Sequence, residues 1–170
     1  PRGERTITVF GDRLQPCGED KLGWEALGNY DGVFVTACDT AAFRLCRTAK
    51  VLTATPRVGK NTLQKAGVKI DALIGSGLDP DERITASELK PAPSLRIATE
   101  GHLGGISWPG GRFEAIQLPI EKALDSYGCG DCFAAGVTTG LSAEWNYEKA
   151  INLGADCGAR CVTHLGPYDI

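Results

Sequence analysis

Between residues 125 and 136 the chain reads DSYGCGDCFAAG, with two aspartates, three glycines and two cysteines ahead of a helix-patterned run. Three chemistries suit these residue types. Cys129-x2-Cys132, with Cys157-x3-Cys161 and His164 further on, offers thiolates and an imidazole to zinc, or a thiol pair to redox exchange. A glycine turn with an aspartate N-cap needs no chemistry at all. Glycines at 128 and 130, however, admit backbone angles closed to other residues, so successive N–H groups can converge on one anion. A helix starting near 131 would add its positive end. Such a cradle suits the charge that spreads over a phosphoryl group in transfer, and Asp131 at its edge could accept a proton from a substrate hydroxyl. The zinc and redox readings are weaker: Gly-Asp between the first two cysteines puts a negative charge beside any thiolate, and no knuckle-like turn surrounds 157–161. Small buried cysteines packing like alanine are the plainer alternative.

A site of this kind needs strands that end at it and a helix that begins there. Runs rich in β-branched and aromatic residues predict strands at 6–11, 32–38, 50–56, 71–76 and 95–99. Helical patterns fall between them at 22–30, 39–49, 61–67 and 79–89, with Asp39 and Asn61 as N-caps and Gly67 as a stop. This alternation predicts βαβ units and a parallel sheet covered on both faces. After residue 100 the rhythm changes to a hairpin turned by Pro109-Gly110-Gly111. Helices follow at 131–141 and 146–162. Small residues crowd both (Ala134, Ala135 and Gly136; Gly154, Ala155, Gly158 and Ala159), so each can approach a neighbour closely.

The 170 residues are expected to form a single α/β domain, 1–170, and a net charge of −3 gives no reason to expect nucleic acid or an anionic membrane as partner. No apolar run reaches the roughly 18 residues of a membrane span and no signal peptide opens the chain, so a cytoplasmic location is expected. Seven cysteines, an odd number, argue against a disulfide framework. The chain opens at Pro1 and contains no methionine, which reads as a fragment or a processed product.

Asp125, Ser126, Gly128, Gly130, Asp131 and Phe133 stand in a register that resembles the D-[ST]-x-G-[AC]-G-D-x-F signature of the ribokinase-like (PfkB) carbohydrate kinases. Thr99-Glu100-Gly101-His102-Leu103-Gly104 is similar to that family's T-x-G-x-x-G nucleotide loop, and 150–167 resembles its final helix and adenine-side loop. The resemblance implies a three-layer α/β/α fold with a mainly parallel sheet, and transfer of the ATP γ-phosphate to a hydroxyl of a sugar-like substrate, assisted by Mg2+. It implies Asp131 as catalytic base, Gly128, Cys129 and Gly130 as anion hole, and Thr99, Gly101 and Gly104 along the nucleotide. Ser76-Gly77-Leu78-Asp79 falls where the family carries N-x-x-E, which implies Asp79 in the metal-phosphate network, although Ser76 and Asp79 depart from the pattern. Asp125 and Tyr127 fall where some members bind a monovalent cation such as K+. Ala155 stands where several members have an adenine-side asparagine, so base specificity is not carried over. Nothing before residue 70 resembles the family's GG sugar motif or β-lid, so the amino-terminal strands and lid are expected to be missing. The partner implied is the sugar-like substrate, with a homodimer or the missing amino-terminal half beside it. The alternative is a nucleotide-binding or assembly module without turnover, or a zinc or redox protein using Cys129, Cys132, Cys157 and Cys161.

Overall fold

In the computed structural model, residues 10–11, 14–119 and 122–166 are described. Most of the strand expected at 6–11 lies outside them, and Phe10 and Gly11 are not in a strand. Four short apolar runs form parallel strands: β1 (Gly32–Val35), β2 (Val51–Ala54), β3 (Ala72–Ser76) and β4 (Leu95–Thr99). The hairpin β5 (Gly105–Trp108) and β6 (Gly111–Phe113) extends the sheet antiparallel, and the six strands lie side by side in chain order. The second arm of the hairpin is shorter than the sequence suggests, because residues 114–119 leave the ladder.

Two helices connect the first strands. Asp39 caps α1 (Thr40–Cys46) by accepting the Ala42 N–H at 2.7 Å. The helix α2 (Lys60–Ala66) ends on Gly67 in the left-handed conformation, as expected, but begins from Gly59 rather than Asn61. The last two helices are α3 (Cys129–Ser142) and α4 (Tyr147–Cys161), the latter capped by Asn146 through the Lys149 N–H.

Alternation along each strand divides the core. Val35, Leu52, Ala54 and Leu73 face α1 and α2, where Phe43, Cys46 and Leu63 fill the interior. Ala72, Ile74, Leu95 and Ile97 face the opposite way, onto Phe133, Ala134, Val137 and Ile151 of α3 and α4. The architecture is therefore three layers, helices on both faces of a mainly parallel sheet.

Two expected helices differ. Residues 22–30 form a 3-10 segment, Trp24–Asn29, and 79–89 break into two 3-10 turns, Pro80–Glu82 and Ala86–Glu88. Local caps compete with the helix: the Asp79 carboxylate takes the Asp81 N–H, and Thr85 and Glu88 close a capping box on the second turn.

Candidate active site

The carboxyl ends of β2, β3 and β4 carry the turns where parallel α/β sheets build their sites. Against them stands the start of α3. It begins at Cys129, two residues earlier than the expected start at 131, with Gly128 as its N-cap at φ 82°, a left-handed angle that favours glycine. The first intrahelical bond is Cys132 N–H to Gly128 O at 2.8 Å, so the N–H groups of Cys129, Gly130 and Asp131 precede the helical ladder. The Cys129 N–H makes a long contact of 3.4 Å to Ser126 O. A Cβ placed on Gly130 would meet nothing within 4 Å, so the approach to this first turn is open and a side chain would fill it. Asp131 is accordingly a residue of the first turn rather than its cap.

The Asp131 side chain is 46% exposed and receives Arg57 Nη2 at 2.5 Å. Arg57 lies on the short turn Pro56–Val58 that follows β2. Its Nε also approaches Glu82 Oε1 at 3.5 Å, while Glu82 Oε2 accepts the Ser76 N–H at 2.9 Å. An ionic line thus runs from the tip of β3 through Glu82 and Arg57 to Asp131. Neither Arg57 nor Glu82 was legible as a site residue in the sequence. The available signal was position alone: Arg57 sits just past the carboxyl end of a parallel strand.

The remaining expected residues are placed as follows. Thr99 ends β4 and its hydroxyl donates to Gly75 O at 3.3 Å. Gly101, at φ 60°, opens the turn Gly101–Leu103, and a Cβ on Gly104 would stand 2.1 Å from Phe113 O. Gly104 is therefore demanded by the hairpin packing itself. The Phe113 and Phe133 rings stack at 5.8 Å, linking this hairpin to the second turn of α3. Asp79 turns its carboxylate to the Asp81 N–H, and from that loop it is Glu82 that reaches Arg57. Asp125 accepts the Tyr127 N–H at 2.9 Å and the Gly166 N–H at 3.0 Å, and Tyr127 O accepts the Cys161 thiol at 3.4 Å. Asp125 and Tyr127 thereby lie in a loop closed over the end of α4.

Burial works against thiolate formation at the cysteines of α3 and α4. All seven are free thiols. Burial, followed by the neighbouring Cys161, pushes the Cys132 thiol up to about 11, the opposite of the lowered thiol that redox exchange requires. Cys157 and Cys161 are raised as well, again chiefly by burial. Among the described residues no group of three or more His, Cys, Asp or Glu side chains is arranged to hold a metal ion.

Residues 61–170 match the family model described as pfkB family carbohydrate kinase. Over 72 residues the chain is 33% identical to the fructoselysine 6-kinase of Escherichia coli (strain K12), covering 42% of this chain and 28% of that protein. In backbone shape it is similar to an adenosine kinase from Sinorhizobium meliloti, with a TM-score of 0.67 and 15% identity, covering 92% of this chain and 55% of the other. A ribokinase from Thermotoga maritima gives a TM-score of 0.63 at 20% identity, covering 86% of this chain and 55% of the other. The chain thus spans about half the length of these solved structures.

Proposed function

Because this chain belongs to the pfkB family of carbohydrate kinases, we propose that it forms the nucleotide side of an ATP-dependent phosphotransferase acting on a hydroxyl of a sugar or sugar-like substrate. The observation that carries this reading is the start of α3: three N–H groups ahead of the helical ladder, an open approach over Gly130 and a half-exposed carboxylate on the same turn. These features fit a phosphate. Backbone dipoles fixed in advance stabilise charge that grows on a transferring group without reorganising at the moment of reaction. The nucleotide would supply the phosphoryl group, and Mg2+ would spread its charge. Mg2+ in such sites is held mainly by phosphates and water with one or two carboxylates, so no dedicated protein cage is required.

In the proposed step Asp131 takes the proton of the acceptor hydroxyl as that oxygen bonds to the γ-phosphorus and the bond to the ADP oxygen breaks. A loose transition state asks for little deprotonation early, so a weakly basic carboxylate suffices. Cys129 and Gly130 would direct their N–H groups at the transferred oxygens, with Gly128 setting the turn. Thr99, Gly101 and Gly104 would line the nucleotide. Asp79 would belong to the metal-phosphate network, and Asp125 and Tyr127 to a monovalent cation site.

The test is Asp131→Asn in the protein carrying these residues, assayed with ATP and with fructoselysine, ribose and adenosine as acceptors. Loss of a general base is expected to lower kcat about 10²–10⁴-fold. Nucleotide affinity should stay within a few-fold. Normal turnover would remove Asp131 from the mechanism, and nucleotide binding without transfer to any acceptor would favour a non-catalytic module.

A further inference from the structure

We infer that Arg57 is a further catalytic residue: its guanidinium, which pairs with Asp131, turns onto the transferred phosphoryl group during reaction, with Glu82 as the residue that positions it. The inference rests on the phosphotransferase reading above.

The backbone that carries Arg57 is fixed. Pro56 and Val58 on either side are buried, and Pro56 packs so closely on β3 that a Cβ on Gly75 would stand 2.9 Å from its ring. The side chain, by contrast, is 40% exposed and lies between two carboxylates. Those carboxylates are unlike. Glu82 is only 14% exposed and is tied to the Ser76 N–H, so it is anchored to the tip of β3. Asp131 is 46% exposed. An ion pair with an exposed partner is weak and readily exchanged, whereas an anchored, shielded carboxylate keeps its hold. When a phosphate arrives at the first turn of α3, the contact that yields is Arg57–Asp131, and Glu82 keeps the guanidinium aimed at the same place.

Two consequences follow for the chemistry. The N–H groups of residues 129–131 contribute partial charges, and Arg57 adds a full one in a planar fork that matches phosphate oxygens. Asp131 also gives up its ion-pair partner as the phosphate arrives, which leaves its carboxylate open to the acceptor hydroxyl. The exchange alters no covalent bond. The transfer itself still ends with ADP, the phosphorylated acceptor and the proton on Asp131.

The experiment compares wild type, Arg57→Ala, Arg57→Lys and Glu82→Gln, with circular dichroism to establish folding. Three readouts are needed: kcat for transfer from ATP, calorimetric affinities for ADP and for AMP-PNP, and rate recovery with added guanidinium chloride. Arg57→Ala is expected to lower kcat about 10²–10³-fold, as removal of one preorganised donor does. ADP affinity should change little, the AMP-PNP-to-ADP affinity ratio should fall about ten-fold, and millimolar guanidinium should restore part of the rate. Arg57→Lys keeps the charge without the fork and should show a smaller loss. It also carries the test if the alanine variant does not fold. Glu82→Gln should lower kcat with ADP affinity unchanged. Wild-type kcat and an unchanged affinity ratio in both Arg57 variants would overturn the inference while leaving the kinase reading standing. A wild-type protein that binds neither nucleotide would overturn both.

Discussion

The two faces of the sheet are built on different packing rules. On the α1/α2 face, large side chains fill the interior: Phe43, Leu52 and Ile70 are fully buried there. On the opposite face α3 and α4 meet through missing side chains. A Cβ on Gly136 would stand 2.8 Å from the Gly154 Cα, and one on Gly140 would stand 2.8 Å from the Ala150 Cα. One face holds its helices by volume, the other by close backbone approach. The difference matters because the candidate site stands on the second kind. Contacts between backbones leave little room to slide, so α3, which carries the site on its first turn, is held at a defined distance from α4.

The largest expected effect comes from breaking each rule in turn. Phe43→Ala removes a buried ring and should cost about 3–5 kcal/mol in denaturant unfolding. Gly136→Ala should cost about 1–3 kcal/mol through overpacking, although alanine favours a helix more than glycine does. If the alanine instead stabilised the protein, the contrast between the faces would be wrong. A smaller effect sharpens the link between sheet and site. Thr53 on β2 and Thr138 on α3 share a buried hydroxyl contact of 2.5 Å, while Thr138 also donates to Ala134 O. Thr138→Val strips the Thr53 hydroxyl of its short partner and should cost about 1–3 kcal/mol; Thr53→Val leaves Thr138 its bond to Ala134 O and should cost less, and the double replacement should cost less than the sum. Strict additivity in a double-mutant cycle would deny the coupling.

The smallest effect lies far from both cores. Lys60, then the Thr85 hydroxyl and N–H, hold the Glu88 carboxyl down to about 2. A lowered carboxyl stabilises the fold above its unfolded value and loses that contribution as pH falls toward the folded value. Thermal melts of wild type and Glu88→Gln should therefore differ above about pH 4.5 and converge as pH falls toward 2. A constant difference across that window would show that the pair contributes nothing to folding.

The parallel strands were legible because a run such as 72–74 is apolar on both faces, and the turn before α3 was legible in its glycines. Other features depended on competition that no local pattern displays. Residues 79–89 carry helical residue types, yet Asp79 and Thr85 satisfy backbone N–H groups locally and stop propagation. Gly130 suggested a helix start beyond it, but Gly128 in the left-handed conformation already supplies the cap, and Gly130 falls inside the first turn. Arg57 and Asp131 are 74 residues apart, and only the chain-order sheet beneath α3 brings them together.

The stacked rings of Phe113 and Phe133 have an effect of a different sort. They index the loop at 99–104 to the helix bearing Asp131 by an apolar clasp, which dissolved ions do not weaken, whereas the exposed Arg57–Asp131 pair is open to screening. Ionic strength therefore acts on the charge arrangement of the cleft and leaves its spacing untouched.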